Sequence, residues 1–196
     1  IGIRVSITSK TAKTVATKVM VGSTLTEVTG LQSIIDAYQK GSDTTPLAIR
    51  IIGKISKDDL DKVSSSAEGL QVKGKNSYSE MNITIEGVGD DATISGFGIL
   101  VRNCKGVEMR NFAIMLCMDD CISLDTNNSN IWLHNLDLFD GQTGGDADQA
   151  KGDGTIDLKG GTKYVTISSN RYWDSGKSSL CGMGGDDANY ITYQNN

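Results

Sequence analysis

Ile99–Asn111 reads ILVRNCKGVEMRN, Ile122–Asn135 reads ISLDTNNSNIWLHN and Ile156–Ser168 reads IDLKGGTKYVTIS. Each stretch is a short strand, a small polar turn and a second short strand. Aligning the second strands sets Ile83, Val107, Ile131, Val165 and Ile191 in one column, with steps of 24, 24, 34 and 26 residues. Aligning the first strands sets Ile99, Ile122, Ile156 and Leu180 in another, with steps of 23, 34 and 24. The long step falls at the same place in both columns, so it is one turn enlarged by the ten residues GQTGGDADQA, 141–150. A unit repeating in the twenties is the signature of a solenoid. LxxLxL repeats and intervening helices are missing, which excludes a leucine-rich horseshoe.

The expected fold is therefore all-β: a right-handed, single-stranded parallel β-helix. Alternation turns Ile122, Leu124, Ile156 and Leu158 inward and Ser123 and Asp157 outward. Four residues past each second-strand anchor lie Asn111, Asn135, Ser169 and Asn195. Asn tolerates left-handed backbone and its amide can bond the amide stacked above, so this column predicts a structural ladder at a tight turn. Upstream, Leu31, Ile34, Ile35 and Tyr38 follow helical spacing, with Gly41 as a stop, and predict an amphipathic helix capping the open end. The chain reads as one incomplete domain over 1–196, with an amino-terminal segment and capping helix over 1–45 and coils over 46–196. It is expected to end inside a coil, truncated at the carboxyl end, which leaves room for a second polypeptide to supply the rest of the β-helix.

Composition narrows the function. With 24 acidic and 19 basic side chains, the net charge of −5 does not suit a nucleic-acid binder, which needs excess cation to neutralise phosphates. No apolar run has membrane-spanning length, so no membrane role is expected. Cys104, Cys117, Cys121 and Cys181 show no CxxC spacing and read as interior, mostly unpaired thiols.

Stacking makes residues about 24 apart into neighbours about 4.8 Å apart along the sheet. Asp153 and Asp157 then share a surface with Lys177 on the next coil and with Asp119 and Asp120 on the preceding one. Clustered carboxylates repel one another unless a cation neutralises them. Oxygen ligands without paired His or Cys suit calcium better than zinc. The bland alternative is an acidic solvated face with a rim ion pair to Lys177. The loop 141–150 reads as a solvated insertion, with metal binding as its alternative.

GDGTIDLKGGTKYVTISSNRYWDSGKSSLCG, Gly152–Gly182, resembles the pectate lyase family of extracellular polysaccharide lyases, with its D-G-x-x-D-x-K, x-V-T-I-S-x-N and Lys before S-x-L-x-G. The looser resemblance extends over Leu31–Asn196. It implies a secreted protein with a parallel β-helix fold that cleaves α-1,4-linked polygalacturonate, or pectin, by calcium-dependent β-elimination. It further implies that Asp153 and Asp157 are calcium ligands and that Lys177 binds a substrate carboxylate. Asp120 resembles the second acid of a D-x-D calcium motif whose first position falls on Met118, so Asp119 is kept as a candidate beside it. Trp132-Leu133-His134-Asn135 departs from the family's W-x-D-H-N, and His134 reads as structural. The family's catalytic arginine segment, R-x-P-x-x-R, is expected beyond Asn196, so no catalytic residue is assigned among these residues and little turnover is expected of this stretch alone. A polygalacturonase-like hydrolase is the nearest rival, since DDCISL at Asp119–Leu124 resembles its acid pair, but its N-T-D and G-H-G elements are missing. A non-catalytic carbohydrate-binding β-helix is the rival of another class.

Overall fold

The computed structural model describes residues 2–40, 43–141, 153–183 and 188–196, with residues 39 and 40 as backbone only. Successive coils pair in parallel and build a β-helix with three faces. The first is a five-stranded sheet of Gly69–Lys73, Gly98–Arg102, Ile122–Thr126, Gly154–Leu158 and Lys177–Cys181. The second carries Ile3–Ile7, the first halves of Leu47–Ser56 and Ser79–Ser95, then Cys104–Arg110, Ser129–His134, Lys163–Ser168 and Asn189–Gln194. The third runs from the ends of Leu47–Ser56 and Ser79–Ser95 through Ala113–Met115 and Asp137–Phe139 to Arg171–Tyr172. Faces two and three form one continuous sheet where the long strands turn the corner.

The second-face column is in register throughout: Ile83, Val107, Ile131, Val165 and Ile191 pair in turn. It also continues upstream through Leu47 to Ile3, so the ladder begins before the helix. On the first face, Leu70, Ile99, Ile122 and Ile156 are in register, but Ser179 rather than Leu180 continues the column, and Leu180 stands opposite Asp157. The strand KSSLC offers one large apolar residue, too little to set its parity, and backbone pairing decides it: the Lys177 N–H donates to the Asp153 carbonyl at 2.9 Å. Ile122, Leu124, Ile156 and Leu158 are fully buried, each side chain contributing about 1.5–3 kcal/mol.

Asn111, Asn135, Ser169 and Asn195 all hold positive φ, between 52° and 59°, as a tight-turn ladder requires. The Asn111 amide donates to the Gly87 carbonyl at 2.9 Å. Amide-to-amide bonding occurs one residue further on, where Asn170 Nδ2 donates to Asn196 Oδ1 at 2.9 Å. Asn128, wholly buried at the opposite corner, accepts the Cys104 N–H at 3.0 Å and donates to the Val101 carbonyl at 2.9 Å and Thr162 Oγ1 at 3.2 Å. One amide thereby ties three coils together.

The helix Leu31–Lys40 buries Leu31, Ile34, Ile35 and Tyr38 as its spacing predicts. Its buried Gln32 closes the edge of the first face, donating to the Gln71 carbonyl and accepting the Gln71 N–H, both at 2.9 Å. Asp61 caps the helix start by accepting the N–H groups of Gln32 and Ser33. No helix among the described residues is long and apolar enough to cross a membrane.

Asn128→Ala leaves the Cys104 N–H and the Val101 carbonyl unpartnered in the interior and is expected to cost roughly 3 kcal/mol in denaturant unfolding. Asn111→Ala, at an exposed turn with one side-chain bond, is expected to cost about 1 kcal/mol, mainly from its left-handed backbone.

Candidate functional site

The acidic residues gather where the first face begins. Extending the Ile122–Ile156 register backwards sets Asp119 level with Asp153 and Asp120 level with Gly154. The Gly154 N–H donates to Asp120 Oδ1 at 3.2 Å. A Cβ at Gly154 would lie 2.6 Å from Asp157 Oδ1 and 2.9 Å from Asp120 Oδ1, so both carboxylates converge over this glycine and would have to shift for any larger residue. Across the preceding coils, Glu68 joins Asp119 and Asp120, with one carboxylate oxygen from each of the three lying within 4.8 Å of the others.

The four candidate acids therefore divide. Asp119 and Asp120 cluster with Glu68, and Asp157 meets Asp120 above Gly154. Asp153, just ahead of its strand, instead forms an ion pair with Lys177. Asp157 is also covered, at 3% exposure, although it points out of the coil. Its Oδ2 receives Lys159 Nζ at 3.4 Å, while its Oδ1 has no hydrogen-bond partner among the described residues. The loop 142–152 lies outside the described residues, so the reading of the insertion rests on its sequence.

Burial without compensation controls the electrostatics. Asp120, 2% exposed, is pushed up to about 8 by desolvation first, then by the charges of Asp157 and Asp119, with Lys159 opposing. Desolvation raises Asp157 despite Lys159, and raises Glu68, where Asp119 and Asp125 add to the effect. Burial alone would lower Lys159, but Asp157, Asp120 and Glu68 hold its ammonium above the usual range. Lys159 and Glu68 line one groove of about 350 Å³ with Asp119, Ser123 and the Arg102–Asp125 ion pair.

Two of these residues escaped the sequence reading. Lys159 is the last residue of D-G-x-x-D-x-K and was given no role, although strand parity puts it beside Asp157. Glu68 lies upstream of the recognised repeats, and aligning GLQV with GILV, which pair as Gly69–Gly98 and Leu70–Ile99, would have added its coil. Met118 supplies no ligand and lies instead beside Lys57, with its sulfur 3.8 Å from the ammonium. His134 lies on the second face, away from the acids, with its Nε2 2.9 Å from Glu108 and its ring stacked on Trp132 at 3.8 Å. Cys104, Cys117 and Cys121 are buried as expected, whereas Cys181, on the outer coil, is exposed.

The family model described as pectate lyase matches residues 6–196. The chain belongs to the pectate lyase family. A pectate trisaccharide-lyase of Bacillus licheniformis is 30% identical over 181 residues, covering 89% of this chain and 49% of that protein. A probable pectate lyase B of Aspergillus terreus is 31% identical over 184 residues, again 89% and 49%. Among solved structures, a pectate lyase from Bacillus sp. N165 in complex with trigalacturonate superposes with TM-score 0.58 at 21% identity, covering 84% of this chain and 53% of that one. A thermostable pectate lyase gives 0.56 at 19% identity, covering 82% and 58%. These two likenesses support the parallel β-helix itself. This family member spans about half the length of the curated relatives it matches.

The buried carboxylates make a prediction about metal-free protein. A carboxyl raised to about 8 in the fold contributes its full stability below the unfolded value of about 4, and loses it as pH rises through 8. In chelator, the melting temperature is expected to fall between pH 5 and pH 8, and Asp120→Asn is expected to flatten that fall and raise the value at pH 8. Thermal melts of both proteins across this range check it.

Proposed function

We propose that the complete protein is a secreted, calcium-dependent lyase of polygalacturonate. The observation that carries this reading is the convergence of Asp120 and Asp157 on Gly154, beside Glu68 and Asp119, in a chain of the pectate lyase family. The donor set fits a hard divalent cation: every ligand is a carboxylate, Asp157 Oδ1 is left without a hydrogen-bond partner among the described residues, and desolvation disfavours the bare charges. Asp119, Asp120, Asp157 and Glu68 would hold calcium, with Asp153 turning from Lys177 to complete the site when substrate engages that lysine.

Elimination removes the proton at C5 of a galacturonate, α to its carboxylate, so negative charge develops there and must be stabilised. Bound calcium would supply Lewis-acid stabilisation of that charge and bridge an acidic protein to an acidic polymer. Lys177 and Lys159 orient the uronate by charge. The Arg102–Asp125 pair helps to shape the groove wall. Arg50, Arg102, Arg110 and Arg171 are each held by a carboxylate, at Glu86, Asp125, Glu86 with Glu108, and Asp137 respectively, which suits structural roles rather than proton abstraction. These pairings support the reading in which the base comes from the arginine segment that the family resemblance implies.

One observation favours a hydrolase as second reading: a buried acid raised to about 8 beside a second carboxylate could donate a proton to a glycosidic oxygen. Polygalacturonate incubated with the full-length gene product and calcium separates the two. Ultraviolet absorbance from a 4,5-unsaturated product is expected, and new reducing ends without it would establish hydrolysis. Calorimetry on this chain is expected to show calcium affinity lowered at least tenfold by Asp120→Asn, Asp157→Asn or Glu68→Gln, roughly the 1.4 kcal/mol of one lost ligand. Lys177→Ala is expected to weaken oligogalacturonate binding while leaving calcium affinity nearly unchanged.

A further inference from the structure

The loop that presents Asp119 and Asp120 is bracketed by two cysteines. Cys117 and Cys121 are both fully buried, and their Sγ atoms lie 2.9 Å apart, inside the contact distance of two unbonded sulfurs. The backbone between them has little freedom. A Cβ at Gly98 would lie 2.1 Å from the Asp120 carbonyl and 2.7 Å from the Cys121 carbonyl, and the Ile99 N–H donates to that same Cys121 carbonyl at 2.9 Å. The far end of the loop is therefore clamped by backbone contacts. Its near end follows Leu116, whose N–H donates to the Phe139 carbonyl at 3.0 Å, and Met118 there lies against Lys57. A covalent link from Cys117 to Cys121 would tie the two ends of the loop directly to each other.

We propose that Cys117 and Cys121 form a disulfide that clasps the acidic loop. The other two cysteines stand apart from this pair: Cys104 Sγ donates to the Arg102 carbonyl at 3.1 Å, and Cys181 is exposed on the outermost coil of the first face. The oxidant is a small-molecule disulfide of the kind found in oxidising compartments. One cysteine thiolate attacks that reagent, forming a mixed disulfide and expelling one reagent thiolate. The second cysteine sulfur then attacks the mixed disulfide at the protein sulfur, forming the Cys117–Cys121 bond and expelling the second thiolate. The protein pair loses two electrons and two protons, and the reagent becomes two thiols. Because both sulfurs are covered in the folded coil, the bond forms as the coil closes during folding and resists reduction afterwards.

The bond is independent of the metal assignment, whereas its consequence for calcium rests on the function proposed above. Protein refolded in mixed oxidised and reduced glutathione is unfolded, alkylated without reduction, and digested with trypsin. The fragment Asn111–Lys151 holds both cysteines and no internal Lys or Arg. It is expected two hydrogen masses light and unalkylated, with Cys104 and Cys181 alkylated. Four alkylated cysteines, or a Cys104–Cys181 link, would overturn the proposal. Reduction, or Cys117→Ser, is expected to raise the calcium dissociation constant about threefold to tenfold by loosening the loop. Equal affinity in both redox states would overturn the clasp's role. Absence of calcium binding in both states would instead overturn the metal reading, with the mass result still deciding the bond.

Discussion

Parallel pairing between coils holds residues of one column about 4.8 Å apart, whatever the length of the turns between them. Every feature of the site follows from this constraint. Asp120 meets Gly154 across a step of 34 residues because the Ile122–Ile156 register survives the insertion between them. The same constraint sets two carboxylates in the space a Cβ at Gly154 would need, so a side chain there would displace them. A register slip of one residue would turn Asp157 into the apolar interior and Leu158 out of it. The buried ladder of Ile and Leu therefore fixes the geometry of the acids as well as the stability of the coil.

That geometry is electrostatically unfavourable on its own. Glu68, Asp119, Asp120 and Asp157 are brought together partly out of water, and the nearby Lys159 offsets only part of the cost. Structures normally avoid such burial or neutralise it. Here backbone pairing enforces it, and a divalent cation at the proposed site would relieve it. The same acids serve no evident packing purpose, since the coil interior is filled by aliphatic side chains without them.

Much of this was legible in the sequence, for a physical reason. A solenoid converts long-range contacts into a short-period pattern, so Ile83, Val107, Ile131, Val165 and Ile191 could be aligned without knowing the fold. Legibility failed where the period carried too little signal. Lys177–Cys181 has one large apolar residue, so hydrophobic alternation could not place Leu180. Glu68 ends the irregular stretch between Leu47–Ser56 and Gly69–Lys73, and the period is lost across that stretch. The amide ladder was read one residue early: left-handed backbone belongs to Asn111 and Asn135, while the buried amide bonding belongs to Asn128 and Asn170, whose role depends on which side of the corner faces inward. Sequence spacing shows that a corner exists, but not which of two adjacent Asn side chains turns into it.

Charge is also sorted between the faces, which composition alone conceals. On the second face, Arg50, Glu86, Arg110, Glu108 and His134 form a continuous ladder in which each acid contacts a base or imidazole on its own or an adjacent coil. Individually such half-exposed pairs contribute little, but together they leave no acid of that ladder without a cationic or imidazole neighbour. On the first face, five carboxylates, Glu68, Asp119, Asp120, Asp153 and Asp157, share two ammonium groups, Lys159 and Lys177. Three units of formal negative charge, five carboxylates less two ammonium groups, are thus gathered at one end of one sheet. A net charge of −5 that repels a polyanion on average is then compatible with the proposed cation site, through which a polyanion would be bound.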